Sequence, residues 1–120
     1  MQLTAVELIA NPCDDEEDNM ALLCCMGLAG ESLLITRFPD EDEVGLALDI
    51  EDEPYLLRDL KITLSAERLL IEVAAGDREA LRGSEVLEVL HGTDPAELPE
   101  VLETLTNILK GTGTLVNQLV

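Results

Sequence analysis

Apolar and polar residues alternate along most of this 120-residue chain, and the alternation predicts strands. In residues 2–9, Leu3, Ala5 and Ile9 share one parity, while Val6 and Leu8 sit on the other. The pattern predicts a strand broken by Asn11-Pro12. Met20 to Leu28 is apolar on both parities, as a central strand would be. Ala29-Gly30 reads as a turn into a third strand, Ser32 to Phe38. There Leu33 and Ile35 share a face with Arg37. Val44 to Ile50 predicts a fourth strand with Val44, Leu46, Leu48 and Ile50 facing inward. Leu60, Ile62 and Leu64 alternate with Lys61, Thr63 and Ser65, and a short turn leads to Leu69, Ile71 and Val73, which predicts a hairpin. A short helix with Asp77 as its cap is expected through Leu81, and Glu85 to Leu90 completes the strands.

The periodicity then changes. Leu98, Val101, Leu102, Leu105, Ile108 and Leu109 repeat at helical spacing and form one apolar stripe. Asp94-Pro95 suggests a cap and a first helical position, although Pro99 moves the start of regular helix toward itself. Gly111 closes the helix. The apolar tail from Thr114 to Val120 either completes the core or joins two copies. The expected fold is therefore α+β: one domain over residues 1–120, with a mostly antiparallel sheet of about seven strands and one long C-terminal helix packed on one face. Arg37, Lys61 and Thr63 are expected on the opposite, partly open face.

Charge adds the strongest functional signal. Twenty-six acidic residues face seven basic ones, for a net charge of -19. From Asp14 to Glu53 there are fourteen carboxylates and a single cation, Arg37. They cluster as Asp14, Asp15, Glu16, Glu17 and Asp18, then Asp40, Glu41, Asp42 and Glu43, then Glu51, Asp52 and Glu53, with Asp49 just before the last run. Each run lies between apolar segments and reads as a loop. If the three loops gather into one anionic patch, its field repels anions and steers cationic partners. Phe38 and Tyr55, the only aromatic residues, lie beside these runs and are the expected apolar anchors. The plain alternative is that the runs merely keep the loops solvated.

Other chemistries find little support. Phosphate contacts need cations, and single-strand binding needs aromatic platforms, so no nucleic-acid partner is expected. An anionic membrane is disfavoured for the same reason. Asp40, Asp42, Gly45 and Glu51 match four positions of a calcium loop, but Val44 offers no oxygen and the flanks read as strands. No metal or cofactor is expected. His91 has no serine or cysteine placed to suggest a nucleophile, so no catalytic residue and no enzyme activity are assigned. Three cysteines, two of them neighbours, read as free thiols of a reducing compartment. Met1-Gln2-Leu3-Thr4 lacks the basic and apolar regions of a leader, so a cytoplasmic location is expected.

The order of segments resembles a known family. Leu33-Leu34-Ile35-Thr36-Arg37-Phe38 is followed by the Asp-Glu-Asp-Glu loop and Gly45 in a strand. Leu60-Lys61-Ile62-Thr63-Leu64-Ser65 then leads into Arg68-Leu69-Leu70-Ile71. From about Val6 to the end of the C-terminal helix this resembles the immunity protein 10 family of bacterial polymorphic toxin systems. The resemblance implies a cytoplasmic bacterial protein that binds a cognate toxin and neutralises it, without catalytic residues. The competing readings are an acidic secretion chaperone and a small enzyme or metal-binding protein.

Overall fold

The chain bends at Val6, and the bend splits the N-terminal segment between two sheets. The structure, a computed structural model, describes residues 1–49 and 53–119. Before the bend lies β1 (Gln2–Ala5) and after it β2 (Ile9–Asp14). There follow β3 (Met20–Met26), β4 (Ser32–Arg37), β5 (Val44–Ala47), β6 (Tyr55–Leu57), β7 (Lys61–Leu64), β8 (Arg68–Glu72) and β9 (Val86–His91). Helix α1 (Leu98–Leu109) and β10 (Thr114–Asn117) end the order.

The α+β class stands, but the single sheet of about seven strands does not. Among the described residues ten strands form two five-stranded sheets, β1-β9-β8-β7-β10 and β2-β3-β4-β5-β6. The second is a continuous antiparallel meander. The first is mixed: β7, β8 and β9 are antiparallel, while β1 joins β9 and β10 joins β7 in parallel. An isolated bridge between Ala5 and Gly27 links the two sheets at a corner.

Three features escaped the sequence pattern. Asn11-Pro12 does not end a strand but lies inside β2, an edge strand whose register shifts between Asn11 and Asp14. Proline lacks an N–H, so an edge bulge is where a sheet tolerates it. Tyr55 is not a loop residue but opens the short edge strand β6. The C-terminal tail, expected to complete the core or to join two copies, pairs with its own chain as a strand the pattern did not show, β10 on β7 over Thr114–Asn117.

The inward faces of both sheets enter one core, which includes Leu23, Ile35 and Leu46 from one sheet and Ile62, Ile71 and Val89 from the other. Helix α1 closes the side between β2 and β10 and packs Val101, Leu105 and Ile108 into that core. At twelve residues it is an average helix rather than a long one. It begins beside Pro99, while Asp94 caps the turn before it through Oδ1 and the Ala96 amide at 2.9 Å. The segment Ala75–Leu81 is a 3-10 helix without a side-chain cap, so Asp77 does not play the capping role expected of it. Among the described residues no helix is long and apolar enough to cross a membrane.

Candidate functional site: an acidic end of one sheet

The first two acidic runs fill the loops at one end of the meander. In the β2–β3 connection, Asp14 turns its carboxylate inward, and Oδ1 accepts from the Glu16 amide at 3.1 Å. The backbone makes a 3-10 turn over Asp15–Glu17 and then passes through two left-handed residues, Asp18 and Asn19. Aspartate and asparagine tolerate that conformation better than other side-chain-bearing residues. The Asn19 amide closes the loop on the Asp14 carbonyl at 2.9 Å. Asp14 is thus partly spent on the fold, while Asp15, Glu16 and Asp18 stay exposed.

The β4–β5 connection is held by its backbone. Phe38-Pro39-Asp40-Glu41 form a turn, with the Glu41 amide donating to the Phe38 carbonyl at 3.1 Å. Pro39 at its second position fixes the φ the turn requires. Arg37 Nε donates to the Glu41 carbonyl at 2.6 Å, and Thr112 Oγ1 donates to the Asp42 carbonyl at 2.6 Å. These bonds occupy carbonyls and leave the carboxylates of Asp40, Glu41 and Asp42 toward solvent. Glu43 differs: it lies 3.7 Å from the Arg58 guanidinium, a surface pair worth little by itself. Asp18, Asn19, Phe38, Pro39, Asp40 and Glu41 line one surface concavity, so the two runs meet.

Of the third run only Glu53 lies among the described residues. In a meander successive connections alternate between the two ends, so the segment after β5 leaves at the end opposite the Asp40–Glu43 loop. Asp49 lines a separate cleft with Glu31, Ser32 and Arg82. Glu53 is exposed near it in sequence, whereas Glu51 and Asp52 lie outside the described residues. Among the described residues the acidic pole is therefore built of two loops, and Asp49 stands at the other end of the meander. Phe38 is half-buried at the acidic pole. Tyr55, 46% exposed, is the first residue of the edge strand, paired with Leu46 rather than beside Phe38.

Arg37 is also corrected. It does not sit on an open face with Lys61 and Thr63. Its side chain runs inward, and Nη1 donates to the Ile108 carbonyl in the last turn of α1 at 2.9 Å. A cation there meets the negative end of the helix dipole. Lys61 and Thr63 belong to the other sheet, where Lys61 pairs with Glu72 across β7–β8 at 3.8 Å.

The remaining titratable candidates are His91 and the three cysteines. His91 is buried, and its Nδ1 lies 2.9 Å from Thr93 Oγ1, which accepts from the Leu8 amide at 2.8 Å. Its Nε2 makes no hydrogen bond. Burial pushes its pKa down, against the opposing pull of the Ser65 and Arg68 carbonyls and the Glu67 carboxylate. All three cysteines are free. Cys24 and Cys25 point to opposite faces of β3. Burial pushes the Cys25 thiol up to about 12, with neighbouring Cys24 adding to it, and burial raises Cys24 as well, so neither is activated as a nucleophile. Among the described residues no group of three or more histidine, cysteine, aspartate or glutamate side chains is arranged to hold a metal ion. Gly45, the sixth position of the calcium-loop match, lies buried within β5.

Set against family models, curated proteins and solved structures, the chain matches none.

Proposed function

We propose that this protein binds and neutralises a cationic protein partner, as a bacterial immunity protein neutralises its cognate toxin, and that the acidic pole guides the encounter. One observation carries the reading. Two carboxylate-rich loops converge on one concavity, where Asp15, Glu16, Asp18, Asp40, Glu41 and Asp42 are exposed; of the nearby cations Arg37 bonds backbone carbonyls, Arg58 pairs with Glu43, and Lys110 lines an adjoining cleft with Asn19 and Pro39. A net charge of -19 makes the whole molecule a slow partner for anions and a fast one for cations. The resemblance to immunity proteins of polymorphic toxin systems favours a toxin as that partner. Inhibition would be by occlusion, with no chemistry asked of the inhibitor.

The test uses the product of the neighbouring reading frame. Cells expressing that product should stop growing, and co-expression of this protein should restore growth. In stopped flow, the association rate should fall as salt rises. Neutralising one loop, Asp40→Asn with Glu41→Gln and Asp42→Asn, should lower the rate about tenfold at low salt and much less at 0.5 M. A rate indifferent to both salt and the triple substitution would remove the steering role.

A further inference from the structure

The two sheets treat their outward faces differently. On the mixed sheet charged pairs interrupt the apolar outer positions Leu70, Val86 and Leu90: Lys61 with Glu72, Arg68 with Glu88 at 3.0 Å, and Gln2 donating to Glu88 at 2.8 Å. That is the ordinary solution for an antiparallel sheet with one wet face. The meander departs from it. The outer side of β3 reads Met20, Leu22, Cys24 and Met26, and its neighbours add Ile9, Leu34 and Leu56. No charged side chain occupies an outward position from Ile9 to Asn11, Met20 to Met26, Ser32 to Thr36, Val44 to Ala47 or Tyr55 to Leu57. Helix α1 lies on the inner side. Pro54 packs beside Gly45, and the outward Ser32, Gly45 and Ala47 are buried, so the exposed part of this face runs along β2, β3 and Leu56. Ile9 and Met26 are each 50% exposed and Leu56 is 55% exposed, while Leu22, Cys24 and Leu34 are half-buried between them.

Carboxylates flank this neutral field at both ends. Asp15, Glu16, Asp18, Asp40 and Glu41 stand at one end. Glu31, Asp49 and Glu53 stand at the other. We propose that the outer face of the meander is the docking surface for the partner, and that the partner presents an apolar centre within a basic rim. The proposal rests on the function proposed above and locates its site. Charge decides the occupant. A second copy would bring the same acidic ends against each other, whereas a cationic polypeptide with an apolar side matches both the centre and the rim. Desolvating the half-exposed Met26, Ile9 and Leu56 supplies the short-range attraction that loop charges alone lack.

The protein has no tryptophan, so a tryptophan in a probe reports without interference. Two synthetic probes serve: an amphipathic peptide with a leucine face and a lysine face, and an oligolysine peptide of equal charge, each with one tryptophan. The amphipathic peptide should bind at least about tenfold tighter, with a blue shift of its emission. Met26→Asp with Leu56→Asp should abolish that difference yet leave oligolysine binding intact, since the added charges favour a cation. Both sites are half exposed, and the urea midpoint checks that the variant is folded. Without any variant, methionine-methyl NMR should show Met20 and Met26 shifting on addition of the amphipathic peptide. Equal affinity for the two peptides, or unmoved Met20 and Met26 methyls, overturns the proposal. So does a wild-type dimer that Met26→Asp converts to monomer, which would assign the face to a second copy. If the toxin-like product loses affinity on loop neutralisation but not on face substitution, the docking face falls and the neutralising function stands. Loss on face substitution alone supports the face and removes the role given to the loops.

Discussion

Arg37→Ala tests how far the acidic pole depends on one buried tether. The guanidinium bridges two carbonyls, Ile108 in the last turn of α1 and Glu41 in the acidic loop. The Ile108 bond is part-buried, so its loss strands a helix-end carbonyl that water reaches poorly. A hydrogen bond to a charged donor contributes about 1.5–3 kcal/mol. The lost interaction with the helix dipole adds about 0.5 kcal/mol. The Glu41 carbonyl is exposed and regains water, so its share is smaller, roughly 0.5 kcal/mol. The sum is about 2.5–4 kcal/mol. With an unfolding entropy near 2.1 cal/mol/K per residue, a domain of this size should lose about 10–16 °C in Tm. Thermal and urea unfolding at low salt and at 1 M NaCl check the number. A purely Coulombic role would be screened away, whereas the hydrogen-bond share should survive. Arg37→Lys should recover only the dipole part, because an ammonium lacks the fork that reaches both carbonyls. A Tm loss under about 3 °C for Arg37→Ala, or a lysine variant as stable as the wild type, would refute the tether.

Two further substitutions probe the scaffold. His91 has its folded pKa depressed below the usual value near 6.5, so the unfolded chain binds the proton more readily. Its contribution is fully present above about pH 6.5 and declines as pH falls from there toward the folded value; His91→Gln should flatten that slope in urea titrations, and an unchanged slope would show that other groups cause it. A Cβ on Gly113 would stand 2.5 Å from the Leu60 carbonyl oxygen, against backbone that cannot yield cheaply. Gly113→Ala should therefore cost about 1–3 kcal/mol by urea unfolding, while Gly76→Ala, with open space around it, should be nearly neutral.

Strand periodicity was enough to place most elements, because a half-buried strand shows its burial in alternate residues. The hairpin of β7 and β8 and the stripe of α1 were legible for that reason. What alternation lacks is partner identity. Nothing local in Gln2–Ala5 says that it pairs with Glu88 to His91 at the far end of the chain, or that Thr114–Asn117 lies parallel to β7. Pro12 reads as a strand breaker unless the strand is known to be an edge. The carboxylate runs were plain in the sequence, but their grouping depended on topology. A meander sends alternate loops to opposite ends, and that rule already separates the Asp40–Glu43 loop from the segment after β5. The apolar outer face was visible too, in the double-sided apolar character of Met20 to Met26. It reads as full burial until the helix is seen to lie on the inner side.

The outermost strands of the mixed sheet are β1 and β10, the first and last of the chain. Its neighbour is assembled from residues 9–57 in strict succession, each strand beside the one before. One layer thus closes from contacts between near neighbours in sequence. The other needs strands far apart in sequence to come home before its margins are sealed, so its rims carry a larger loop-closure entropy than any pairing within the meander.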